Sequence, residues 1–283
     1  MYIQWLSNKK NHEINMEIKP FLKWAGGKSK ISQKILVHFK KGTRLVEPFI
    51  GSGVIFLNSS FEKYLLCDIN NDLICLYVNL KNRPEELVYK SKSFFSRSSN
   101  TEDNFYFLRN KFNSLKSHEL EKSALFIYLN RHGFNGLCRY NREGLFNVPF
   151  GKYKKPFFPE ERMFDFANKS QYANFKCQDF NKTFAEIKSG DIVYCDPPYV
   201  PISKTSKFTT YSRSCFTLED QKNLSYKAME LKEKKIQCII SNHDTIITRN
   251  LYKEAKIFKL KVQRNIASRA SSRKKIDELV ALF

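Results

Sequence analysis

Short apolar runs alternate with amphipathic stretches at both ends of the chain. Four of these runs, each closed by a polar residue or a proline, are typical of parallel strands buried on both faces: residues 43–46, 64–67, 192–195 and 237–241. Between them, apolar residues recur at helical spacing in residues 31–39, 72–80 and 218–232. Strands that alternate with helices predict an α/β fold with a doubly wound, mostly parallel sheet and right-handed crossovers.

The pattern changes between residues 84 and 170. This stretch has a helical, charged pattern to about residue 130, then becomes rich in Gly, Asn and basic residues, and prolines follow near residues 156–159. We therefore expect residues 20–83 and 171–283 to form one catalytic domain, into which a mainly helical lobe, residues 84–170, is inserted. Residues 1–19 are expected to form an N-terminal tail, to which the sequence assigns no function.

Charge narrows the choice of partner. The chain has 49 Lys and Arg residues against 28 Asp and Glu residues, which gives a net charge of +21 at pH 7. Such an excess favours a polyanionic partner, because each phosphate that is neutralised releases counterions. A generally Lys-rich composition would give the same total charge. Whether the protein binds a polyanion must therefore be judged from where the basic residues lie.

Several classes of protein are disfavoured by what the sequence lacks. No uncharged apolar run reaches the ~18 residues of a membrane span, and the first residues lack the apolar stretch of a secretory signal. The seven cysteines are spread singly without C-x-x-C spacing, and with the five histidines they form no zinc pattern. We expect a cytoplasmic protein with reduced thiols, and neither a metal nor a membrane partner.

Two turns carry candidate ligand chemistry. FLKWAGGKSK at residues 21–30 ends like a phosphate-binding loop, but Leu22 occupies a position that must be Gly in that loop. The segment is therefore either a damaged nucleotide site or a turn that binds another ligand.

The first predicted strand runs into EPFIGSG at residues 47–53, where two glycines admit a ligand but the third glycine of a dinucleotide site is missing. The second strand ends at Asp68, whose carboxylate can bind a ribose hydroxyl. Together these features predict an adenosine-type ligand without a diphosphate, and S-adenosylmethionine fits that description.

The run at residues 192–195 is followed by Asp196-Pro197-Pro198-Tyr199. A Pro-rich turn after a strand needs no function, yet these residues suit methylation of an exocyclic amine. The N6 lone pair of adenine is delocalised into the ring, which makes the nitrogen a poor nucleophile. Two acceptors, the Asp196 carboxylate and the Pro197 carbonyl, can accept hydrogen bonds from both N–H groups and draw that lone pair out of conjugation. Tyr199 offers a face on which a flipped base can stack, and positioning then supplies most of the acceleration of an in-line transfer.

The motifs together resemble one family. FLKWAGGK, EPFIGSG, CDIN, LNRHGFNGLCRYNREGLFNVPFGKYKKPFF, VYCDPPY and ISNHD occur in this order, and nearly the whole chain is similar to the Dam-type DNA adenine-N6 methyltransferases. The resemblance implies methyl transfer from S-adenosyl-L-methionine to N6 of a flipped adenine in double-stranded DNA, within GATC. We also expect a monomer that is associated with the nucleoid. FLKWAGGKSK is then a methyl-donor turn. The implied catalytic residues are Asp196, Pro197, Pro198 and Tyr199, and the implied cofactor site is Trp24, Lys28, Glu47, Phe49, Gly51, Gly53, Asp68 and Asp196.

The inserted stretch is expected to read the DNA sequence. Between residues 131 and 155, six basic residues accompany one acid, and five aromatic residues interleave with them: Phe134, Tyr140, Phe146, Phe150 and Tyr153. Basic groups alone would fit a solvated loop, whereas rings that wedge or stack beside them fit DNA. The resemblance marks Arg139 as a guanine reader, since a guanidinium pairs bidentately with O6 and N7, and implies Lys23 at the outer guanine and Leu137 and Pro149 at a thymine methyl group. The predicted DNA-contacting residues are Lys23, Phe134, Asn135, Leu137, Arg139, Pro149, Lys152, Tyr153, Arg273, Lys274 and Lys275.

Two other functions remain open at this stage. Methylation of a protein glutamine amide would use the same amine chemistry, although such enzymes usually present Asn before the prolines and have no use for a basic, aromatic insert. A non-catalytic DNA-binding protein would explain the insert and the basic run at residues 269–275 but leaves Asp196 to Tyr199 without a purpose. The sequence does not decide between a role in replication and mismatch repair and a partnership with a restriction nuclease.

Overall fold

The computed structural model describes residues 17–199, 216–262 and 276–283. Within them a seven-stranded sheet consists of β1 (Arg44–Glu47), β2 (Lys63–Asp68), β3 (Ala173–Cys177), β4 (Asp191–Cys195), β5 (Gln237–His243), β6 (Lys256–Val262) and β7 (Ile276–Leu282). The strands lie in the order β3-β2-β1-β4-β5-β7-β6. The five strands from β3 to β5 in this order are parallel, whereas β7 runs antiparallel to both β5 and β6. The prediction of a mostly parallel α/β sheet is confirmed.

The described α-helices connect these strands. They are α1 (Ser32–Leu36), α2 (Val54–Asn58), α3 (Asn71–Asn82), α4 (Pro84–Ser93), α5 (Glu102–Ser114), α6 (Leu120–His132), α7 (Glu160–Ser170), α8 (Phe180–Ala185), α9 (Leu218–Glu233) and α10 (Ile246–Leu251). The side chains of Asn70, Thr101 and Thr217 cap α3, α5 and α9 by accepting from N–H groups that have no partner within the helix. The helix predicted over residues 31–39 is shorter than expected, because its last residues form i→i+3 turns instead.

The central strands are buried on both faces, which explains their continuous apolar sequences. Leu45 of β1 packs into a cluster with residues of α2 and α3, whereas the next residue, Val46, packs on the other face with residues of α8 and α9. Helices therefore cover both faces, as the doubly wound arrangement predicts. Strand β3 was not predicted because it lies at the edge, where its sequence mixes buried and half-exposed positions.

Helices α4 to α7 occupy much of the stretch predicted to be an inserted lobe. Helix α6 is surrounded by α3, α4 and α5, so that all its residues from Lys122 to His132 are buried. Phe105 of α5 and Leu125 of α6 belong to the same continuous cluster as Leu45 of β1. The division of the chain at residues 84 and 170 stays a prediction.

The parallel strands bring several acidic residues to one edge of the sheet. Glu47 and Asp68 end β1 and β2, and Asp196 directly follows β4. Carboxyl ends of parallel strands are where ligands bind in open α/β sheets. In the described ranges no helix is long and apolar enough to cross a membrane, and over the same ranges no three His, Cys, Asp or Glu side chains are grouped to hold a metal ion.

Candidate active site and nucleic-acid interface

Lys28 and Asp196 form an ion pair at the carboxyl edge of the sheet. Lys28 Nζ lies 2.7 Å from Oδ1 and 2.8 Å from Oδ2 of Asp196, and 3.9 Å from Oε2 of Glu278 on β7. The Lys28 side chain is 2% exposed and that of Asp196 is 22% exposed. Burial raises the pKa of Asp196, and the charge and hydrogen bond of Lys28 oppose that rise. The ion pair therefore anchors a carboxylate that is still partly open to a ligand.

Tyr199 lies beside this ion pair. Lys28 Nζ is 4.7 Å from the centroid of the Tyr199 ring. The ring also meets the imidazole of His243, the last residue of β5, with centroids 4.2 Å apart and an angle of 68° between the planes. Two of the predicted catalytic residues, Asp196 and Tyr199, are thus brought together around one buried ammonium group. Between them in the chain, Pro197 is buried and Pro198 is exposed.

The turn after β1 is packed against Trp24. Gly51 and Gly53 have φ angles of +48° and +72°, in the left-handed region that favours glycine. A Cβ atom at Gly51 would lie 2.7 Å from Trp24 Nε1. Gly51 N donates to Asp68 Oδ2 at 3.2 Å, and Gly51 O accepts from the Tyr77 hydroxyl at 2.5 Å. Trp24, Gly51 and Asp68, which the sequence assigned to one ligand site, therefore meet at this turn.

Two further carboxyl groups at this edge are buried. Burial raises the pKa of Asp68, and hydrogen bonds from the backbone N–H groups of Asn70 and Gly51 oppose the rise. Glu47 is 2% exposed, and its Oε1 has no hydrogen-bond partner within the described part of the chain. Burial, followed by the nearby charge of Asp196, raises the pKa of Glu47 well above its usual range. Burial therefore disfavours the ionised form of Glu47 relative to an exposed glutamate.

Replacing Glu47 with glutamine is expected to make stability less sensitive to rising pH. Because the pKa of Glu47 is higher in the folded than in the unfolded state, the folded state binds more protons above the ordinary value of 4.5, and wild-type stability falls as the pH rises from there towards the folded pKa. Glutamine resembles the neutral carboxyl group and does not titrate. Urea titrations at several pH values should show that the variant's free energy of unfolding gains on the wild-type value as the pH rises. A constant difference would contradict a raised pKa of Glu47.

Phe49, another predicted cofactor residue, belongs to a cluster of aromatic rings. Its ring stacks on Phe180 of α8, with centroids 5.7 Å apart and 29° between the planes, and meets Phe216 edge-on at 5.6 Å. Phe180 follows Asp179, which caps α8 by accepting from Asn181 N at 2.8 Å. Sequence reasoning did not identify Phe180 or Phe216, because both lie far from Phe49 in the chain and only the fold brings the rings together.

Lys23 joins the first motif to the inserted stretch. Asn130 of α6 accepts from Lys23 N and donates to Lys23 O, both at 2.8 Å, and also donates to Gly136 O at 3.1 Å. Gly136 has a φ of +62°, and a Cβ atom there would lie 2.3 Å from Lys23 Cβ. Only glycine therefore allows the loop after α6 to approach Lys23 this closely. Asn130 was not identified from the sequence, since nothing local marks a side chain that bridges two distant segments.

The predicted DNA-contacting residues around Lys23 are close to one another. Lys23 Nζ lies 4.0 Å from the centroid of the Tyr153 ring, and the Tyr153 hydroxyl accepts from Asn135 N at 3.0 Å. Burial and the charge of Arg131 lower the pKa of Lys23. Phe134 is 46% exposed, and Asn135, at a φ of +53°, is also exposed. An aromatic ring, an amide and an ammonium group thus share one surface.

Arg139 lies on a neighbouring hairpin and is held by Asn147. Its Nε donates to Asn147 Oδ1 at 2.8 Å and its Nη2 donates to Asn147 O at 3.1 Å. Asn147 N in turn donates to Arg139 O at 3.0 Å. The guanidinium therefore lies along its own hairpin, half-buried, with one side of its fork engaged by the backbone and side chain of residue 147.

The remaining predicted contacts are dispersed. Leu137 is half-buried, Pro149 is exposed, and the Lys152 side chain is 77% exposed, 3.9 Å from Glu102. Arg273, Lys274 and Lys275 lie outside the described residues. The interpretation of Phe146 as a ring that faces DNA is wrong: it is 2% exposed and packs against Phe112 and Tyr140. Tyr140 and Phe150 are only half-buried, but they also pack inwards, because the insert needs aromatic residues for its own core.

Comparison with known proteins adds the family. The sequence matches the D12 class N6 adenine-specific DNA methyltransferases over residues 24–266. The DNA adenine methylase of Escherichia coli (strain K12) is 48% identical over 265 residues, which is 94% of this chain and 95% of that protein. The DNA adenine methylase of Serratia marcescens is 45% identical over 266 residues, which is 94% of this chain and 98% of that protein.

Similarity to solved structures is weaker. An rRNA methyltransferase from Streptomyces viridochromogenes is 11% identical, with a TM-score of 0.35 over 90% of this chain and 82% of that one, a likeness too low to support a conclusion. The family match spans most of the chain, and the DNA adenine methylases cover nearly all of it at close to half identity. The chain therefore belongs to the D12 class N6 adenine-specific DNA methyltransferases and is an adenine-specific DNA methyltransferase.

Proposed function

We propose that the protein uses S-adenosyl-L-methionine to methylate N6 of an adenine that is flipped out of duplex DNA, within the sequence GATC. The observation that carries this proposal is the Lys28–Asp196 ion pair beside Tyr199, at the same sheet edge as Gly51 and Asp68. An acceptor for an amine and an aromatic face for a base thereby lie at the same edge as the turn where Trp24, Gly51 and Asp68 meet. A DNA substrate is also the reason for proposing a nucleoid-associated protein in the cytoplasm.

The residues around Gly51 fit an adenosine-type methyl donor. Gly51 has no side chain between its backbone and Trp24, and the Asp68 carboxylate, fixed by two backbone N–H groups, has further lone pairs for a ribose. Glu47 offers a buried oxygen without a partner in the described residues. When bound, S-adenosyl-L-methionine supplies a methyl group on a positively charged sulfur. Trp24, Gly51, Gly53 and Asp68 would hold it.

The Asp196 carboxylate and the Pro197 carbonyl would each accept a hydrogen bond from one N–H group of adenine N6. Two acceptors placed together draw the lone pair of the nitrogen out of the ring and towards the methyl group. Lys28 fixes the Asp196 carboxylate through both oxygens, and the Tyr199 ring would support the base. The methylated nitrogen must lose one proton, and a carboxylate whose pKa is raised by burial is suited to accept it.

The surface around Lys23 would read the DNA. Phe134 is exposed at the start of the loop that Asn130 ties to Lys23, which suits a ring that fills the gap left by a flipped base. Arg139 is proposed to pair with a guanine, for which its guanidinium has the matching fork. The choice of GATC rests on the resemblance to Dam-type enzymes and on relatives named DNA adenine methylase.

One incubation tests the reaction. Purified protein, tritiated S-adenosyl-L-methionine and a duplex with a single GATC site should give labelled N6-methyladenine on nucleoside analysis, and little label on duplexes altered at one base pair of the site. Label recovered in protein would favour a glutamine methyltransferase. Binding without any transfer of label would contradict an enzymatic role, and equal label on all duplexes would contradict the sequence specificity.

Changing Lys274 and Lys275 together to alanine is expected to flatten the dependence of DNA affinity on salt. Each phosphate contact adds roughly 0.9 to the slope of log affinity against log salt concentration, so the slope should fall by up to about 1.8 while all sequences lose affinity alike. Fluorescence anisotropy at several salt concentrations measures this. Lys40 and Lys41, which are exposed near the opposite edge of the sheet, give a matched double variant whose slope should stay wild-type. An unchanged slope for the first variant would mean that Lys274 and Lys275 do not contact phosphate.

A further inference from the structure

A buried polar network lies directly behind the Pro198 carbonyl. Gln221 of α9, which is 1% exposed, donates from Nε2 to Pro198 O at 2.7 Å. Its Oε1 accepts from Asn242 Nδ2 at 3.1 Å and from the Tyr252 hydroxyl at 3.2 Å. Asn242 and Tyr252 are fully buried. The network therefore joins α9, β5 and the segment after α10 to the turn that carries Tyr199.

The partners of Gln221 fix the direction of its amide. If the amide were turned end for end, Oε1 would face the Pro198 carbonyl oxygen and Nε2 would face two donors, and buried polar groups without a partner are costly. Asn242 is fixed in the same way, because its Oδ1 accepts from His243 N at 2.8 Å and its Nδ2 donates to the Tyr252 hydroxyl at 3.0 Å. A donor aimed at Pro198 is thus the arrangement that satisfies all these groups.

The turn depends on such a donor because of its prolines. Neither Pro197 nor Pro198 has a backbone N–H, so hydrogen bonds can hold this dipeptide only through its carbonyl oxygens. Since the peptide unit is planar, a fixed Pro198 oxygen also fixes the backbone nitrogen of Tyr199. The Tyr199 ring packs on the imidazole of His243. The backbone N–H of His243 donates to the side chain of Asn242. The network therefore holds both members of the ring pair.

We propose that Gln221, oriented by Asn242 and Tyr252, is a positioning residue for methyl transfer. It sets the peptide plane between Pro198 and Tyr199, and through it the orientation of the ring on which the target base stacks. This inference rests on the proposed function, in which Tyr199 supports the flipped adenine, and it adds a side chain that lies outside the sequence motif. Gln221 acts through the turn and touches neither the base nor the methyl donor.

The test is the variant Gln221→Glu, which keeps the shape and the acceptor for Asn242 and Tyr252 but replaces the donor by an oxygen. We expect kcat to fall by roughly 10- to 100-fold, as for a small displacement of a reacting group, with little change in the KM for DNA. At lower pH, protonation of the new carboxyl group restores a donor to Pro198, so the ratio of variant to wild-type kcat should rise. A merely structural role would not give that recovery.

Gln237→Glu is the matched control. Gln237 is likewise buried, at 6% exposed, although it lies on a strand and not on a helix. Its Nε2 donates to a backbone carbonyl, that of His38 at 2.9 Å. It lies at the start of β5, away from the carboxyl edge, so the same chemical change should lower stability without changing kcat for the folded protein.

The outcomes separate this inference from the proposed function. Equal kcat for Gln221→Glu and the wild type, or an equal loss for Gln237→Glu, would overturn the positioning role. If Gln221→Glu does not fold, Tyr252→Phe replaces it, because that change removes one donor to the Gln221 amide. We expect its kcat to fall about 3-fold and the fluorescence of 2-aminopurine at the target position to change. If neither changes, the positioning role is overturned. A wild-type protein that does not methylate adenine would instead overturn the proposed function, and this inference with it.

Discussion

Asp196→Ala is expected to lower the rate of adenine methylation by about 1000-fold, as the loss of one preorganised polar group at a reacting centre commonly does. In the proposed reaction, the carboxylate accepts a hydrogen bond from the target amine and also lies next to the methyl donor. The substitution removes both contacts together. Single-turnover incorporation of tritiated methyl groups into a GATC duplex measures the rate without the step of product release. Transfer at the wild-type rate would contradict the catalytic assignment.

The same substitution is expected to destabilise the protein. A position at the end of a strand would suggest intact folding, but the 2% exposed Lys28 would lose the carboxylate that contacts it at 2.7 Å. Its ammonium group would keep the neutral Gly26 carbonyl at 2.8 Å and, as a carboxylate, the more distant Glu278 at 3.9 Å. Removing one partner of a buried ion pair costs about 3 kcal/mol or more. The double variant Asp196→Ala with Lys28→Met should recover much of that loss, and unfolding in urea measures it.

A control for Asp196 lies at the other end of the same strand. Asp191, which is 3% exposed, accepts from Arg44 Nε at 2.9 Å and from Arg44 Nη2 at 2.6 Å. Asp191→Ala therefore also breaks a buried ion pair of β4, at the edge opposite the site. It should lose stability and keep the methylation rate of the folded protein. A rate loss equal to that of Asp196→Ala would show that the effect comes from stability.

Arg139→Ala is expected to relax sequence discrimination by roughly 5- to 150-fold, the range set by one bidentate pair between arginine and guanine. The variant should methylate GATC more slowly but gain relative activity on sites altered at one outer base pair. The comparison is between GATC and all its single-base variants at fixed salt. The salt slope should move by no more than about one unit, because a contact to a base releases few counterions.

Arg142 provides the control in the same hairpin. It has the same side chain as Arg139 and is exposed, whereas Arg139 is engaged by Asn147. Arg142→Ala should lower the rate slightly on every sequence and leave the ratio between sequences unchanged. If Arg139→Ala also lowers the rate equally on all sequences, Arg139 holds a phosphate or the hairpin and does not read a base.

The sequence predicted the parts of the fold whose burial is uniform. Strands β1, β2, β4 and β5 are covered on both faces, so their apolar runs could be recognised without the structure. Strands β6 and β3 could not, because exposure in them changes from residue to residue and the apolar pattern is not continuous. Strand β7 is buried from Glu278 to Ala281, but Asp277 and Glu278 interrupt its apolar run. The ends of helices depend on single hydrogen bonds, which is why α1 is shorter than its apolar pattern.

Candidate site residues that belong to local motifs could be found from the sequence, whereas polar residues that connect distant segments could not. Trp24, Gly51 and Asp68 were each marked by a motif, and the structure places them together. Asn130 and Gln221 are ordinary buried polar side chains in the sequence, and their importance follows only from partners that lie far away in the chain. Phe146 shows the opposite error: its place among basic residues suggested a contact with DNA, but its ring belongs to the core.

The burial of α6 on every side limits how the specificity of this enzyme can be re-engineered. Its residues pack against α3, α4 and α5, and Asn130 at its end binds the backbone of Lys23. A chimera that exchanges residues 84–170 as a cassette would therefore join mismatched core surfaces, even if its reading side chains were well chosen. Grafts confined to the surface loop after Gly133 would keep α6 with its native neighbours, so donor loops should be selected first for a glycine at position 136 and only then for their proposed contacts to bases.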